Sequence, residues 1–196
     1  YEAGYIAGAI NLPIRDLLKN LDKLPGKDEA IVIYCASGHR GGLAMAALQL
    51  FGYTNVRNLG GGLGAWQKAE LPVETAAAPE LTAGTAPEVD ATRLRDLDAF
   101  LSALPDGFFT VKPADVNVEL GASPAPYILD VRSAEEFAGG YIEGATNIAL
   151  RDLPANLATL PTDKAAPIVI LCASGHRGAI GMMYLRMLGY TDVRNL

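Results

Sequence analysis

The chain has 196 residues, 50% of them hydrophobic, and a formal net charge of −6 at pH 7. This length suffices for one large domain or two small ones with an apolar core. The acidic balance argues against a nucleic-acid or anionic-membrane surface, and no apolar run reaches the ~18 residues that a membrane helix needs. A small anionic substrate is still compatible with this charge, because a local cluster of N–H groups and one arginine can outweigh it.

The first predicted elements alternate between strands and helices. Their ranges are 9–12 (strand), 15–21 (helix), 31–34 (strand), 41–51 (helix) and 55–59 (strand). The strand over 31–34 is apolar and mostly β-branched, which is typical of a buried strand. The alternation indicates a parallel sheet with helices on both faces. Ligands bind such sheets at the carboxyl ends of the strands, and Cys35 directly follows this strand.

The middle of the chain has a different composition. The glycine-rich turn Gly60–Gly64 leads into a short helix that contains the single tryptophan, Trp66. Because this turn lacks the Gly-Lys-Ser/Thr ending of a phosphate-binding loop, we interpret it as structural. Residues 72–91 are rich in Ala, Pro, Thr and Glu and predict a flexible linker. Leucines and a phenylalanine then recur on one helical face over 94–104, which predicts an amphipathic helix.

Strands and helices alternate again in the second half. The predicted ranges are 113–120 (helix), 127–131 (strand), 168–171 (strand) and 178–188 (helix). Ser133 and Glu136 have the spacing of a capping box and predict the start of a further helical turn. The apolar strand over 168–171 directly precedes Cys172, as the earlier strand precedes Cys35.

The two halves are copies of one another. Residues 1–59 match 137–196, with one residue inserted near Pro167. The best-matched stretches pair 5–11 with 141–147, 35–40 with 172–177, and 52–59 with 189–196. A period this long indicates duplicated domains and not a solenoid. We therefore predict an α/β protein with domains over 1–75 and 108–196, joined by a linker and helix over 76–107.

Each of the two cysteines opens the same hexapeptide, Cys-Ala-Ser-Gly-His-Arg. Because each follows its own buried strand, we predict free thiols and no disulfide. A helix N-terminus and loop N–H groups stabilise a thiolate, which is the reactive form of cysteine. A cysteine after an apolar strand is more often a small buried hydrophobe. The glycine, the arginine and the repetition favour a reactive thiol, and two ligands per loop are too few for zinc.

The motifs together resemble the rhodanese homology domain family. Asp130-Val131-Arg132 with Glu135-Glu136-Phe137 is similar to the opening strand motif of that family, and Tyr141 to Ala145 and Tyr5 to Ala9 are similar to its next motif. The two Cys-x4-Arg loops and Gly61 to Trp66 are similar to its active-site loop and closing motif. Many tandem members keep the cysteine in one domain, whereas this chain has it in both.

The resemblance implies two domains with parallel sheets and a sulfurtransferase that carries sulfane sulfur as a cysteine persulfide. The donor would be a small sulfur anion, thiosulfate or a persulfide, and the acceptor a thiol, or cyanide in the test tube. It implies no metal and no organic cofactor. Cys35 and Cys172 are the expected nucleophiles. The expected substrate-binding residues are Ser37, Gly38, His39, Arg40, Ser174, Gly175, His176 and Arg177.

Two alternatives stay open. Rhodanese-like folds resemble dual-specificity phosphatases, but those use Cys-x5-Arg, and the shorter loop here favours sulfur over a phosphate ester. A second alternative is a carrier or interaction module that another protein loads with sulfur. We interpret Asp130 and Arg132 as a structural ion pair or capping set. His39 and His176 either orient a substrate or simply face solvent.

The ends of the chain lead to further expectations. The first repeat lacks the opening strand, and the second lacks the Gly-Gly and Trp tail, so we expect a piece of a longer tandem protein. The complementary gaps raise the hypothesis of a dimer in which residues 60–75 of one chain complete the second repeat of another. We expect a cytoplasmic protein, although Tyr1 is not a natural start and an export leader would precede it.

Overall fold

The structure, a computed structural model, describes residues 4–77 and 79–196. The chain divides into two compact units, one ending at Leu104 and the other spanning Pro105–Leu196. Each unit contains one copy of the repeat, which is the tandem α/β organisation that the sequence predicts.

The first unit is built on two parallel strands. The strands are β1 (Ile31–Ile33) and β2 (Val56–Asn58), and the helices are α1 (His39–Leu50), α2 (Gly62–Lys68) and α3 (Ala91–Ser102). Two short 3₁₀ segments, Ile14–Asp16 and Leu18–Lys23, replace the predicted helix over 15–21. Ile31 lies opposite Val56 in the sheet, so both strands end at the same edge.

The predicted amphipathic helix packs onto this first unit. Asp90 caps α3 by accepting a hydrogen bond from the backbone N–H of Arg93 at 2.7 Å. Leu97 and Leu101 are completely buried, which contributes about 2 kcal/mol each relative to exposed side chains. Arg15 donates through Nε to the carbonyl of Leu104 at 2.8 Å, joining the helix end to the first 3₁₀ segment.

The segment before α3 has little regular structure. Tyr5 and Glu74 form an isolated antiparallel bridge, with N–H···O distances of 2.9 and 2.8 Å. Further along, Gly84 donates its N–H to the carbonyl of Asp22, and Lys27 donates to the carbonyl of Glu88. The segment therefore contacts its own unit at several points along 72–90.

The predicted strand over 9–12 is wrong, because these residues form no strand. Their counterparts in the second repeat, Thr146–Asn147, do form one by pairing with Leu129 and Asp130. No such partner for 9–12 exists in the described part of the first unit. A short strand forms only where a neighbouring strand provides hydrogen-bond partners for its backbone N–H and C=O groups. The same motif therefore adopts different structures in the two units.

The second unit has a four-stranded parallel sheet. Its elements in chain order are α4 (Pro113–Glu119), β3 (Tyr127–Asp130), α5 (Ala134–Ala138), β4 (Thr146–Asn147), a 3₁₀ segment (Leu150–Thr159), β5 (Ile168–Leu171), α6 (His176–Met187) and β6 (Val193–Asn195). The strand order is β4-β3-β5-β6. β5 is central and buried along its whole length, as its apolar sequence predicts.

Two local predictions near the sheet edge are confirmed. Ser133 caps α5 by accepting from the N–H of Glu136 at 3.2 Å, and Glu136 accepts from the N–H of Ser133 at 2.9 Å. Buried Asp130 binds Arg132, whose Nη2 lies 2.6 Å from Oδ2. In the described residues, no helix combines the length and apolarity needed to cross a membrane.

Candidate active site

Both cysteines lie where the central strands end. Cys172 directly follows β5, and Cys35 follows β1 after Tyr34. Both thiols are free and partly exposed. Each stands between the carboxyl end of a parallel strand and the start of a long helix, which is where such sheets bind ligands.

A left-handed glycine ends each loop. Gly38 has φ 97° and Gly175 has φ 78°, a region that side chains other than glycine enter at a cost. The helices begin at the next residue and run for 12 residues each. In the first loop, the backbone N–H of Gly38 donates to Sγ of Cys35 at 3.1 Å. The sulfur therefore receives an N–H at the positive end of a helix dipole, which favours an anion there.

An asparagine from the neighbouring strand holds each loop. Asn58 donates through Nδ2 to the carbonyl of Gly38 at 2.8 Å, and Asn195 donates to the carbonyl of Gly175 at 2.9 Å. The Asn side chains also occupy the space that a Cβ would fill at Gly41 and Gly178. The sequence analysis did not single out these asparagines, although they lie in the repeated Val-Arg-Asn-Leu stretch.

The glycine-rich turn packs directly on the first loop. Leu63 and Gly64, at the start of α2, donate their N–H groups to the carbonyls of Cys35 (2.7 Å) and Ala36 (2.9 Å). A Cβ on Gly62 would overlap the backbone of Cys35 and Ala36. This close approach explains why the turn is rich in glycine and supports its interpretation as structural.

The second loop has a charged neighbour. Arg177 donates from Nη1 and Nη2 to the two carboxylate oxygens of Glu136, at 2.6 and 2.7 Å. Hydrogen bonds from Arg177 and from the Ser133 backbone lower the pKa of Glu136 to about 2. Hydrogen bonding to Glu136 raises the pKa of Arg177, and the sulfur of Cys172 adds to that rise. The guanidinium of Arg177 thus interacts with both the Glu136 carboxylate and the sulfur of Cys172.

The two histidines differ in their surroundings. His39 is only 7% exposed, whereas His176 is partly exposed. Burial and, to a smaller extent, the charge of Arg177 lower the pKa of His176. His176 is therefore neutral at pH 7 and can donate or accept a hydrogen bond.

The remaining predicted residues lie in the two cysteine loops or in the first turn of the helix that follows. Ser37 and Ser174 are exposed, and Arg40 is half-buried in the first turn of α1. The structure thus brings each set of predicted residues together at its own cysteine. Across residues 4–77 and 79–196, no three His, Cys, Asp or Glu side chains cluster in the way that a metal site requires.

A cleft of about 750 Å³ opens beside the second loop. It extends from Arg177 along β4 and the following 3₁₀ segment. Its charged lining residues are Glu135, Arg151, Asp152 and Arg177. This volume accommodates a small organic molecule next to Arg177.

The family model for the rhodanese-like domain matches residues 1–69 and 113–196 of this chain. The two matched segments contain the two cysteine loops, and the unmatched part coincides with the segment before α4.

Individual proteins are similar over one repeat or over both. The chain is 34% identical over 62 residues to thiosulfate sulfurtransferase PspE of Escherichia coli, covering 31% of this chain and 60% of that protein. It is 36% identical over 86 residues to a human thiosulfate:glutathione sulfurtransferase, covering 38% and 75%. The crystal structure of the 3-mercaptopyruvate sulfotransferase SseA of Escherichia coli covers 100% of this chain, and the chain covers 82% of it, at 22% identity and a TM-score of 0.43. The chain spans about three fifths of the length of the PspE protein.

Proposed function

The chain belongs to the rhodanese-like domain family, and on this basis we propose that it is a sulfurtransferase with nucleophiles Cys35 and Cys172. The observation that carries the proposal is the position of each sulfur. Each thiol stands at the start of a 12-residue helix, and Cys35 receives the N–H of Gly38 at 3.1 Å. Such a position stabilises both a thiolate and the persulfide anion that follows.

The proposed reaction has two steps. The cysteine thiolate attacks the outer sulfur of thiosulfate, the new S–S bond forms, and the bond between the two sulfur atoms of thiosulfate breaks. Sulfite leaves with the bonding electrons, and the enzyme keeps Cys–S–S⁻. A thiolate acceptor then attacks the terminal sulfur, which leaves as the acceptor persulfide and regenerates the cysteine thiolate. Splitting the transfer in this way is covalent catalysis.

The relatives support this choice of donor and acceptor. Two similar proteins have names that specify thiosulfate, and one of these names also specifies glutathione, a thiol. The loop length also supports the choice. Four residues separate Cys35 from Arg40 and Cys172 from Arg177, one fewer than in the similar phosphatase loops, so the N–H groups enclose less space for a phosphate ester.

The test is the formation of thiocyanate from thiosulfate and cyanide. We expect the parent protein to be active and the single variants Cys35→Ser and Cys172→Ser to be partly active. The double variant should form thiocyanate no faster than a sample without protein. Mass spectrometry of the protein treated with thiosulfate alone should show one added sulfur atom at each cysteine. Circular dichroism melting of each variant controls for folding.

Other outcomes would favour the alternatives. If the folded parent forms no thiocyanate but gains sulfur from a persulfidated protein, it is a carrier. If the double variant is as active as the parent, the loops are not the site. Rapid hydrolysis of an aryl phosphate by the parent would contradict the argument from loop length.

A further inference from the structure

We propose that Glu136 is a specificity-determining residue of the Cys172 site, one that disfavours thiosulfate relative to organic persulfides. This inference rests on the proposed function and names the donor class of one of its two sites. Its basis is the bidentate contact between Glu136 and Arg177, the cation closest in sequence to Cys172.

The first step of the argument concerns charge. An isolated guanidinium beside a nucleophilic sulfur attracts a dianion such as thiosulfate. Glu136 binds both terminal nitrogens of Arg177, so the pair carries no net charge. The side chains are about one third exposed, 32% for Arg177 and 38% for Glu136, and solvent weakens the pair without removing it. An incoming anion therefore meets a pair without net charge, and the attraction of the guanidinium is offset by the carboxylate bound to it.

The second step concerns the neighbouring charges. Arg132, which lies two residues after the end of β3, is bound to buried Asp130 and is likewise compensated. On the cleft wall, Arg151 is accompanied by Asp152, and Glu135 adds a further carboxylate. The charged groups around this entrance thus provide no surplus of positive charge for a dianionic donor.

The third step concerns what the site accepts. An organic persulfide has no sulfonate group, and its carbon substituent can occupy the cleft of about 750 Å³. The thiolate of Cys172 attacks the terminal sulfur of RS–SH, a new S–S bond forms, and RS⁻ leaves with the electrons of the broken bond. The products are Cys172–S–SH and a thiolate that takes up a proton from water.

The test uses Glu136→Gln in a Cys35→Ser protein, so that any sulfur gained by a cysteine is gained at Cys172. Glutamine preserves the shape and the capping role of the side chain while removing its charge. We measure the rate at which Cys172 gains one sulfur from thiosulfate and from 2-hydroxyethyl hydropersulfide. The thiosulfate-to-persulfide rate ratio should rise about fivefold, since the substitution removes one negative charge beside the cation at a solvent-screened pair.

A second measurement is independent of sulfur transfer. Alkylation of Cys172 by anionic iodoacetate, relative to neutral iodoacetamide, should rise about threefold in Glu136→Gln. Glu143→Gln is the control, because it removes the same charge from an exposed residue of the same unit that does not line the cleft, while the carboxylate bound to Arg177 is that of Glu136. We expect its two ratios to change by less than about 1.5-fold.

The outcomes separate this inference from the proposed function. If the Cys35→Ser protein takes sulfur from neither donor, the proposed function fails at Cys172, and the alkylation ratio still decides the role of Glu136. An unchanged alkylation ratio, or an equal rise in Glu143→Gln, overturns the inference even when sulfur transfer is intact. If Glu136 has only a structural role, Glu136→Gln should change the stability of the protein but neither the thiosulfate-to-persulfide ratio nor the iodoacetate-to-iodoacetamide ratio.

Discussion

The two cysteine loops have identical sequences but different neighbours. In both, a left-handed glycine starts the helix and an asparagine from the adjacent strand binds that glycine's carbonyl. The first loop is then covered by the glycine-rich start of α2, where the N–H groups of Leu63 and Gly64 bind two of the loop carbonyls. The second is bordered by the Glu136–Arg177 pair and an open cleft.

This difference shows which properties belong to the loop and which to its surroundings. The hexapeptide, its asparagine and the strand before it are enough to produce the same backbone twice. The polarity and accessibility of the thiol depend on segments that lie outside the hexapeptide. Two copies of one motif can therefore have the same loop backbone in different surroundings.

The largest effect is expected from Gly62→Ala, which should separate the two sites. The new Cβ would overlap the backbone of Cys35 and Ala36, and φ of 58° alone disfavours alanine by about 1–2 kcal/mol. Sulfur transfer at Cys35, measured in a Cys172→Ser protein, should fall at least about tenfold, which corresponds to about 1.4 kcal/mol. Transfer at Cys172, measured in a Cys35→Ser protein, should not change.

Gly60→Ala is the control for this prediction. It adds the same methyl group to the same turn, but no atom lies within 4 Å of its Cβ. Full activity at Cys35 in the Gly62→Ala protein would show that the turn does not determine the shape of the first loop.

An intermediate effect is expected from Asn58→Ala and Asn195→Ala, which should act alike. Each removes one hydrogen bond to a glycine carbonyl, and such a bond contributes about 1 kcal/mol. Peptide-resolved hydrogen exchange should show faster exchange at the start of α1 in one variant and at the start of α6 in the other.

Asn55→Ala provides the comparison, because the backbone carbonyl of Asn55 accepts from Ile31 and survives the substitution. Protection lost in one unit only would mean that the two loops are held by different contacts, contrary to their matching geometry.

The smallest effect is expected from acid. The folded-state pKa of Glu136 is lowered from 4.5 to about 2, chiefly by Arg177, so the unfolded chain binds more protons between these values. The contribution of the pair is present above about pH 4.5 and should be lost as the pH falls towards 2. The protection factors of the α5 amides, which correct for the pH dependence of intrinsic exchange, should therefore fall over this range.

Glu136→Gln should remove that acid dependence, since it has no proton to gain. If the protection factors of α5 in the parent are the same from pH 5 to pH 2.5, the pair does not contribute to the stability of this unit.

The sequence predicted the strands and helices around the cysteines well, because local signals there agree with the fold. The apolar run before each cysteine gives β1 and β5, and the glycine in each loop marks the start of a helix. Ser133 and Glu136 form the predicted capping box. The strand over 9–12 was predicted wrongly, because strand formation there depends on a partner that local sequence does not reveal.

The contacts that support the site were harder to predict. Asn58 and Asn195 lie 20 residues from the glycines that they bind, so no local pattern connects them. Glu136 was assigned to a helix cap, and its second contact, with Arg177, spans 41 residues. The structure is needed to show that the Glu136 carboxylate binds both Ser133 and Arg177. The repetition of Val-Arg-Asn-Leu was the one signal of the asparagines.

The asparagine contacts also set an order of events during synthesis. A chain emerges from the ribosome with its N-terminus first, so each cysteine is translated before the asparagine that holds its loop. The contacts that hold the Cys35 loop come from β2 and the glycine turn, and those that hold the Cys172 loop come from β6. Each loop can therefore become ordered only after these later elements have been translated. Each cysteine is thus present in the nascent chain before the asparagine that holds its loop, and the loop reaches its final backbone only when the later strand has joined the sheet.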